Sequence, residues 1–400
     1  MSINLLKNRD IVIVGQQPWD VEIGSNCKNI AAEFSKHNRV LYVNPPLDRI
    51  TKFKRRNDPA ISSRLNVINM TYKGLSLRHE NLWELNTDII IESINWIKSN
   101  PIFNYLNKRN NVKFSVSIGK AINELNFKNI ILFNDNDMFR SFYLKELLSP
   151  AISIYYSRDF MLGVDYWKYH GLLLEPELIR KSDLVVANSV YLENYCKKYN
   201  PNSHYIGQGC DLTLFQDSAD LTVAAELEGI AGPRIGFVGA LNSDRLDIVM
   251  LLQIAKARPQ WNIVLVGPAD DRFASSELND LKNVFFIGSV AENRLPAFIK
   301  GFDVCLNPQL LNEITIGNYP RKIDEYLALG KPVVATKTEA MVTFNEYVYL
   351  AEGKDEYLSL IEKALDEDSV ELYESRKLFA STHTWANSVS KLYAAIKDTQ

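Results

Sequence analysis

The sequence predicts an α/β protein built from two doubly wound domains of parallel strands. Its 400 residues exceed what one hydrophobic core usually supports, so two domains are expected. Short β-branched runs alternate with helical periodicity in both halves of the chain, which is typical of a parallel sheet covered by helices. The hydrophobic fraction of 46% and the charged fraction of 23% exclude disordered, collagen-like and disulfide-scaffold proteins.

The first half opens with a strand–helix–strand unit. Residues 11–14 form a β-branched run that ends at Gly15, residues 27–37 have helical periodicity, and residues 40–43 form a second apolar run. Further strands are predicted at 65–70, 130–133, 152–156 and 184–187, and helices near 88–107, 117–126, 139–148 and 175–181, with a break at Pro101.

The second half repeats the alternation after Asp211. Strands are predicted at 234–239, 262–267, 284–288, 304–307 and 332–336, and helices at 248–258, 295–300, 321–329 and 355–366. We therefore predict an N-terminal domain over residues 1–210 and a C-terminal domain over residues 211–384.

The net charge of −3 hides an asymmetry between the halves. Residues 1–210 contain 27 Lys and Arg against 20 Asp and Glu, whereas residues 211–400 contain 18 against 28. This asymmetry predicts different partners for the two halves. A pI of about 6.1 and the lack of an interleaved basic and aromatic face argue against nucleic acid as a partner.

Targeting and metal-binding signals are lacking in the sequence. The four cysteines are far apart and form no Cys/His cluster, so reduced thiols are expected and a structural metal is not. The first residues contain no secretory leader, and no run of 18 apolar residues occurs. We therefore expect a cytoplasmic protein.

The nucleotide-binding motifs of dehydrogenases and P-loop proteins are missing. Gln16 follows Gly15, and neither G-x-G-x-x-G nor Walker A is present. Glycines instead end two strands of the second half, at Gly239 and Gly267. Ligands of open α/β sheets lie beyond the carboxyl ends of the strands. Arg245 in the following loop is suited to phosphate, the alternative being a solvated surface arginine.

A second anion-binding signal lies within residues 312–336. Pro320 leads a glycine-containing loop into a helix that starts with Arg321 and Lys322. Cations in a first turn oppose the helix dipole, so this placement makes sense if an anion lies over the helix start. Glu325 can accept two ribose hydroxyls, the alternative being an ordinary surface ion pair. Together with the glycine loops, this pattern favours nucleotide binding.

Several segments resemble GT-B glycosyltransferases, in particular the bacterial family 4 and TuaH-like group that builds cell-surface polysaccharides. The donor-nucleotide motif of that group is similar to Tyr319-Pro-Arg-Lys-Ile-Asp-Glu-Tyr-Leu-Ala-Leu-Gly-Lys-Pro-Val-Val334, and its first donor-domain strand and loop to Phe237-Val-Gly-Ala-Leu-Asn-Ser-Asp-Arg-Leu-Asp247. Residues 180–189, 207–211 and 383–385 resemble the end of the acceptor domain, the linker and the start of the final helix. The resemblance covers residues 150–400 well and the first 150 only in architecture.

The resemblance implies a fold and a reaction. The fold is GT-B, with two Rossmann-like domains facing a cleft and a final helix at about 385–400 that packs back on the N-terminal, acceptor-binding domain. The reaction moves a sugar from a nucleotide-diphosphate sugar to a glycan or lipid-linked acceptor. No metal and no cofactor besides the donor substrate are expected.

The resemblance also implies which residues bind the donor. Gly239, Arg245 and Lys322 would contact the diphosphate and Glu325 the ribose. Gly267 and Arg321 complete the predicted donor site. The first glutamate of the family's E-x7-E pattern falls at Gly317 here, with Glu313 four residues earlier. Contacts with the donor sugar and the stereochemistry of transfer therefore stay open.

A catalytic base is expected in the N-terminal domain, because an inverting transfer removes a proton from the acceptor hydroxyl. Asp159 follows a predicted strand in a stretch similar to the Arg-x-Ser-Asp-Gly of membrane-associated glucuronosyltransferases. Its alternative role is that of an N-cap or salt-bridged aspartate beside Arg158. Asp135 and Asp137 are alternative bases. The candidates for the acceptor side of the cleft are Gly15, Gln16, Asp135 and His170.

The densest basic cluster consists of Lys52, Lys54, Arg55 and Arg56. Cations beside a few apolar side chains are drawn to anionic lipid. We expect this cluster either to attach the protein to the inner face of the plasma membrane or to form a solvated loop.

Two other functions are compatible with the same architecture. One is a nucleotide-sugar isomerase of the 2-epimerase type, which would require acids and a histidine in the cleft. The other is a non-catalytic GT-B binding module, whose support is the missing glutamate at Gly317.

Overall fold

A computed structural model of the chain describes residues 5–20, 25–55, 57–215 and 220–399. The chain divides into two compact units. Unit 1 comprises residues 1–207 together with 385–400, and unit 2 comprises residues 208–384. The division lies three residues before the boundary that the sequence analysis placed at 210.

Unit 1 contains one large sheet, a two-stranded sheet and the helices that cover them. Its strands are β1 (Asp10–Val14), β2 (Arg39–Val43), β3 (Leu47–Asp48), β4 (Leu75–His79), β5 (Leu82–Leu85), β6 (Ile90–Ile91), β7 (Ile131–Asp135), β8 (Ile152–Ser157), β9 (Leu184–Ala187) and β10 (Ser203–Tyr205). Its helices are α1 (Asn26–Ser35), α2 (Arg49–Lys54), α3 (Pro59–Ile68), α4 (Asn100–Glu124), α5 (Leu144–Leu148), α6 (Asp165–Lys181), α7 (Val190–Lys197) and, after unit 2, α14 (Trp385–Thr399).

The large sheet of unit 1 has the order β10-β9-β8-β7-β1-β2-β5-β4. Every neighbouring pair is parallel except β4 with β5. The apolar strands β1, β2, β7 and β8 are buried, as the near-continuous hydrophobic runs predict. Helix α14 belongs to this unit: Tyr393 lies in the core of β1 and α1, where its hydroxyl accepts a hydrogen bond from Asn38 Nδ2 at 3.0 Å.

Two elements of unit 1 differ from the sequence prediction. Residues 65–70, predicted as a strand, lie mostly in helix α3, which Asp58 caps by accepting a hydrogen bond from the backbone N–H of Ala60. Of the predicted helix over 88–107, residues 100–107 are helical as the first part of α4, whereas residues 88–99 form the short strand β6 and turns. Pro101 is therefore in the first turn, where its missing N–H and fixed φ cost nothing, and it does not break a helix.

Unit 2 contains a single, fully parallel sheet. Its strands are β11 (Arg234–Val238), β12 (Asn262–Val266), β13 (Val284–Gly288), β14 (Val304–Asn307), β15 (Val333–Thr336) and β16 (Tyr349–Ala351). Its helices are α8 (Ile248–Ala257), α9 (Asp271–Ala274), α10 (Leu295–Lys300), α11 (Arg321–Ala328), α12 (Lys354–Asp366) and α13 (Val370–Ser381). The strand order is β13-β12-β11-β14-β15-β16.

The strand orders locate a candidate site in each unit. In unit 2 the order reverses between β11 and β14, and in unit 1 it reverses between β1 and β7. Ligands of doubly wound sheets bind outside the carboxyl ends of the strands at such a switch point. Within the described residues, no helix combines the length and apolar character that crossing a bilayer requires.

Candidate active site

Two glycines allow the backbone turns at the carboxyl ends of β11 and β12 to lie against each other. Gly239 has φ 129° and Gly267 has φ 142°, a region that residues with a side chain rarely adopt. A Cβ on Gly267 would overlap the carbonyl oxygen of Gly239. The Gly239 N–H donates to Val266 O at 2.8 Å, which fixes the turn against β12. Position 267 therefore requires glycine for packing alone, independently of any ligand.

Helix α11 is held against β11 by a buried tyrosine. Tyr326 is fully buried, and its hydroxyl accepts a hydrogen bond from the backbone N–H of Val238 at 3.0 Å. Lys322, four residues earlier, lies on the same face of the helix. Its Nζ is 4.5 Å from the centroid of the Phe237 ring, and a Cβ on Gly239 would lie 2.9 Å from it. The structure thus brings Lys322 and Gly239 together, as the predicted donor site requires.

The Lys322 ammonium is unusual in its electrostatic surroundings. Burial is the main cause that lowers the pKa of Lys322 to about 8; Glu325 opposes the shift, and the charges of Arg245 and Arg321 contribute to it. In the described part of the chain, Lys322 forms no hydrogen bond or ion pair with a side chain. A partly buried cation without a matched anion is costly unless a ligand supplies the negative charge.

Glu325 and Arg321 lie on the same helix and are only loosely paired. Arg321 Nη2 and Glu325 Oε1 are 3.9 Å apart, and the buried Arg321 Nε has no hydrogen-bond partner. Burial raises the pKa of the Glu325 carboxyl, which Arg321 and Lys322 partly offset. Both groups therefore keep hydrogen-bonding capacity that a ligand can use.

Arg245 is exposed in the loop between β11 and α8. Its carbonyl accepts a hydrogen bond from the Leu310 N–H at 2.8 Å, and the Asp244 carbonyl accepts one from Asn312 Nδ2 at 2.8 Å. These bonds join the loop after β11 to the loop after β14. These two hydrogen bonds hold the backbone of the loop that carries Arg245, and the loop lies at the switch point of the sheet.

The loop over residues 312–317, which departs from the E-x7-E pattern, is held by hydrogen bonds within itself. Asn312 Oδ1 accepts hydrogen bonds from the backbone N–H groups of Ile314 and Thr315, at 2.9 and 3.0 Å. Gly317 is buried and Glu313 is exposed. Glu313 therefore does not occupy the place of the residue that the pattern would put at 317.

In unit 1, four of the predicted residues meet at the ends of β1, β7 and β8. Asp135 is fully buried, and its Oδ1 accepts a hydrogen bond from Arg158 Nε at 2.7 Å. Arg158 Nη1 also donates to Asp159 Oδ2, and Gln16 Nε2 donates to the carbonyl of Asn136. Gly15 is required because a Cβ there would overlap the hydroxyl of Tyr42.

The three candidate carboxylates differ in how accessible they are. Asp137 is buried and holds its own turn, accepting from the backbone N–H groups of Phe139 and Arg140 and from Arg140 Nε. Asp135 is buried with Arg158. The side chain of Asp159 is 40% exposed. Of the three, Asp159 is therefore the carboxylate that is accessible from solvent.

His170 lies away from this cluster, and its predicted place on the acceptor side needs correction. The imidazole stacks on Phe103 with centroids 3.5 Å apart, and its Nε2 is 2.8 Å from the carbonyl of Ile97. Burial lowers the pKa of His170. The ring lies beside Phe103 and Phe139, which belong to a buried apolar cluster of unit 1, and its role there is structural.

The basic cluster lies on and after helix α2. Lys52, Lys54 and Arg55 are exposed, and Arg55 forms an ion pair with Asp58. Arg56 lies outside the described residues. Among the described ranges, no group of three or more His, Cys, Asp or Glu side chains is arranged to hold a metal ion.

Three positioning residues were missed by the sequence analysis. Asn136, at φ 55°, joins the ends of β7 and β8 by accepting from the Arg158 N–H and donating to the Asp159 carbonyl. Asp324 is fully buried on α11 and its Oδ1 lies 2.6 Å from His383 Nδ1. An asparagine after a strand was the one available signal, because Asn tolerates positive φ. Asp324 and His383 are 59 residues apart in the chain, so no local sequence pattern indicates that they pair.

The chain was compared with known protein families and sequences. Residues 232–367 match the family model described as glycosyl transferases group 1. Over 222 residues the chain is 28% identical to TuaH of Bacillus subtilis (strain 168), whose name assigns it to teichuronic acid biosynthesis as a glycosyltransferase. This match covers 53% of the chain and 56% of the relative, so it spans about half the length of each.

Solved structures match the fold over nearly the whole chain. Sucrose-phosphate synthase from Thermosynechococcus elongatus has a TM-score of 0.68 at 15% identity, covering 98% of this chain and all of that one. HepE of Anabaena, in complex with UDP, has a TM-score of 0.67 at 14% identity with the same coverage. The GT-B fold and the resemblance to TuaH-like glycosyltransferases predicted from the sequence are confirmed.

Proposed function

We propose that this chain, in which residues 232–367 form a glycosyl transferases group 1 domain on a GT-B fold, is a glycosyltransferase of cell-surface polysaccharide biosynthesis. It transfers a sugar from a nucleotide-diphosphate sugar to a glycan or lipid-linked acceptor, without a metal ion or a further cofactor. The name of TuaH supports the pathway, and UDP in the HepE structure supports a nucleotide donor.

The observation that carries the proposal is the cation cluster at the switch point of unit 2. Lys322 lies against Gly239, near Arg245 and Arg321, and forms no ion pair or side-chain hydrogen bond in the described residues, although Glu325 acts on its charge. Cations at the first turn of a helix oppose its dipole, so the arrangement costs free energy in the empty protein. A diphosphate beside Lys322 removes this cost by pairing with the ammonium. Glu325 then remains to accept hydroxyl hydrogen bonds from the ribose.

The chemistry follows from these assignments and from Asp159. In transfer, the bond between the anomeric carbon and the diphosphate oxygen breaks, and the acceptor oxygen forms the new bond to that carbon. The leaving diphosphate takes the electron pair, and the Lys322 ammonium stabilises the charge that develops there. Asp159 takes the acceptor proton if the transfer inverts configuration. Arg158, paired with both Asp135 and Asp159, orients the Asp159 carboxylate.

The two other functions considered from the sequence are not favoured. An isomerase would use a histidine among the site acids, but His170 is stacked on Phe103 and His383 is paired with the fully buried Asp324. A non-catalytic module rests on the missing glutamate at Gly317 alone, whereas Lys322, Arg321 and Glu325 keep charged groups at the start of α11 that a nucleotide can use.

A titration with nucleotide sugars tests the proposal. Calorimetry with a panel of nucleotide sugars identifies the donor, and release of nucleoside diphosphate from that donor measures turnover. Lys322→Gln is expected to weaken donor affinity roughly 10- to 100-fold, the value of a charge-assisted hydrogen bond. Glu325→Ala is expected to weaken it by a smaller factor.

The matched control is Lys282→Gln, which changes an exposed lysine of the same unit. It is expected to leave donor affinity unchanged. Failure of every nucleotide sugar to bind, or an equal loss in the control, would contradict the donor assignment.

A further inference from the structure

The surface of unit 1 carries a band of exposed apolar side chains that no element of the unit covers. Helix α2 buries none of its residues, and its Phe53 is 84% exposed. Trp96 is 70% exposed in the segment between β6 and α4. On α6, Tyr166 is 63% and Leu173 is 61% exposed. Side chains of this size are normally among the more buried residues, so several of them exposed on neighbouring elements mark an interaction surface.

Hydrogen bonds join the three elements that carry the band. The pairing of β3 with β6 places α2 beside residues 92–99, where the Ile50 N–H donates to Ser93 Oγ at 3.1 Å. Asn95 Nδ2 donates to the Tyr166 carbonyl at 3.2 Å. The Tyr169 hydroxyl donates to the Lys98 carbonyl at 2.9 Å. We call the resulting surface the aromatic–basic face; its apolar members are Ile50, Phe53, Trp96, Tyr166, Tyr169 and Leu173.

The cations on this face are not neutralised by the protein itself. In the described part of unit 1, Lys52, Lys54 and Lys98 form no ion pair. The Lys98 ammonium lies 4.4 Å from the centroid of the Tyr169 ring. Among the acidic side chains of these elements, Glu92 pairs with Arg49 and Asp58 with Arg55. Asp48 caps α2 and accepts a hydrogen bond from Ser93, and Asp165 is exposed, so two carboxylates face three lysines. The face is therefore net positive as well as apolar.

We propose that the aromatic–basic face binds the surface of an anionic phospholipid bilayer. Tryptophan and tyrosine concentrate where a bilayer meets water, because their rings are apolar and their polar atoms remain hydrated. Lysines next to them attract anionic headgroups. Protein–protein interfaces are depleted in lysine, so the mixture favours lipid over a protein partner.

The face borders the strand-end cluster of unit 1, which connects the proposal to the proposed function on which it rests. The ring of Trp167, next to Tyr166 on α6, lies 5.1 Å from the ring of Phe139, whose backbone N–H donates to Asp137 Oδ1 at 3.1 Å. Asp137 follows β7 two residues after Asp135, where the acceptor is expected. A protein bound to the bilayer through this face would hold its acceptor site at the membrane surface. The acceptor is accordingly a lipid-linked glycan presented by that same bilayer.

Vesicle binding by the full chain tests the inference without reference to turnover. Vesicles of phosphatidylcholine are compared with vesicles in which phosphatidylglycerol replaces part of it, at low and high salt. The expected result is binding to the anionic vesicles that weakens with salt. Lys52→Glu combined with Lys54→Glu is expected to weaken it by at least about tenfold, since each cation near the surface contributes about fivefold. Phe53→Ser combined with Trp96→Ser is expected to weaken binding at both salt concentrations.

The control variants carry matched changes on unit 2. Val370→Ser with Leu378→Ser replaces two exposed apolar residues of α13, and Lys282→Glu with Lys354→Glu reverses two exposed cations. Both controls are expected to bind vesicles as the unchanged protein does. Equal binding to both vesicle types, or an equal loss in the controls, would overturn the proposal. Self-association that Phe53→Ser with Trp96→Ser abolishes, without vesicle binding, would overturn it in favour of a second copy of the chain.

Donor titration on the same variants separates this inference from the proposed function. If the face variants lose vesicle binding and keep donor affinity, both stand. If vesicles bind but no nucleotide sugar does, the proposed function fails and the bilayer surface stands. If nucleotide sugars bind but anionic vesicles do not, the lipid-linked acceptor is overturned and the donor assignment stands.

Discussion

The charged side chains at the carboxyl ends of the strands are paired differently in the two units. In unit 1, one cation, Arg158, pairs with two carboxylates, the buried Asp135 and the 40% exposed Asp159. In unit 2, Lys322 lies near Arg245 and Arg321, and within the described residues it forms no ion pair or side-chain hydrogen bond. The first edge therefore has an excess of negative charge and presents one accessible carboxylate, whereas the second has an excess of positive charge around one helix start.

The local charge at each strand-end cluster is opposite in sign to the net charge of the half of the chain that contains it. The half that contains the cation cluster has 18 basic and 28 acidic residues, and the half that contains the carboxylate network has an excess of basic ones. Ligand recognition at these edges is therefore set by a few positioned groups, since net charge acts over longer distances and is screened by salt.

Each unit also contains a buried charge-bearing group with a shifted pKa. Burial raises the pKa of Glu175 to about 7, while hydrogen bonds from Tyr155 and Tyr195 oppose the shift. Burial lowers the pKa of Lys322 to about 8. Glu175 is enclosed in the core of unit 1 and is uncharged when it holds its proton, whereas the charge of Lys322 is the one that we propose a diphosphate neutralises. Burial of an ionisable group therefore bears on stability in unit 1 and, under the proposed function, on binding in unit 2.

The largest expected effect removes the exposed carboxylate of unit 1. Asp159→Asn should lower turnover by roughly 100- to 10,000-fold, the usual contribution of a general base, and leave donor affinity within about twofold. Nucleoside diphosphate release and calorimetry measure the two quantities. Glu124→Gln, an exposed acid on α4, serves as the control. A parallel loss of donor affinity in Asp159→Asn would show that the two edges do not divide binding and chemistry.

The next effect disturbs the glycine contact in unit 2. Gly267→Ala should lower the free energy of unfolding by about 2–4 kcal/mol, because its Cβ overlaps Gly239 O and its φ disfavours a side chain. Denaturant unfolding measures this change, and donor affinity should fall with it as Gly239 is displaced from Lys322. Gly353→Ala is the control, since a Cβ there meets no atom within 4 Å. Equal stability of the two variants would show that the turn is not tightly packed.

A smaller effect concerns the buried carboxyl of unit 1. The folded protein holds the Glu175 proton up to about pH 7, whereas the unfolded chain releases it near its ordinary value of 4.5. Stability contributed at low pH is therefore lost as pH rises through this window, by about 1–3 kcal/mol.

Comparison with Glu175→Gln isolates this effect. The variant does not titrate, so its stability relative to the unchanged protein should increase from pH 4.5 to 7. Denaturant unfolding across that range measures the difference. Glu177→Gln changes an exposed glutamate of the same helix and should follow the unchanged protein. Parallel curves for all three proteins would indicate that Glu175 titrates normally.

The smallest expected effect is the pH dependence of donor binding. A bound diphosphate favours the charged form of Lys322, so above about pH 8 binding must take up a proton, and affinity falls by at most about tenfold per pH unit. The diphosphate of a nucleotide sugar does not titrate in this range, so the slope reports the protein. Lys322→Arg, which stays charged, should abolish the slope. A slope that persists in Lys322→Arg would assign it to another group.

Much of the architecture could be predicted from local pattern. Strands buried on both faces are continuous apolar runs, so their positions can be read from the sequence. This holds for β1, β7, β8, β11 and β12. Residues 65–70 were wrongly predicted as a strand because a short apolar run fits either a strand or a helix, and the cap at Asp58 decides it. Pro101 was misread for a related reason, since its effect depends on whether a helix has already begun.

The candidate sites divide in the same way. The sequence by itself determined the residue types at the strand ends and the placement of Arg321, Lys322 and Glu325 at a helix start, because these features are local. Only the tertiary structure decided that Lys322 lies against Gly239, that Asp159 is the accessible carboxylate, and that His170 belongs to the core. Burial and the pairing of charges depend on residues far apart in the chain, which no local pattern records.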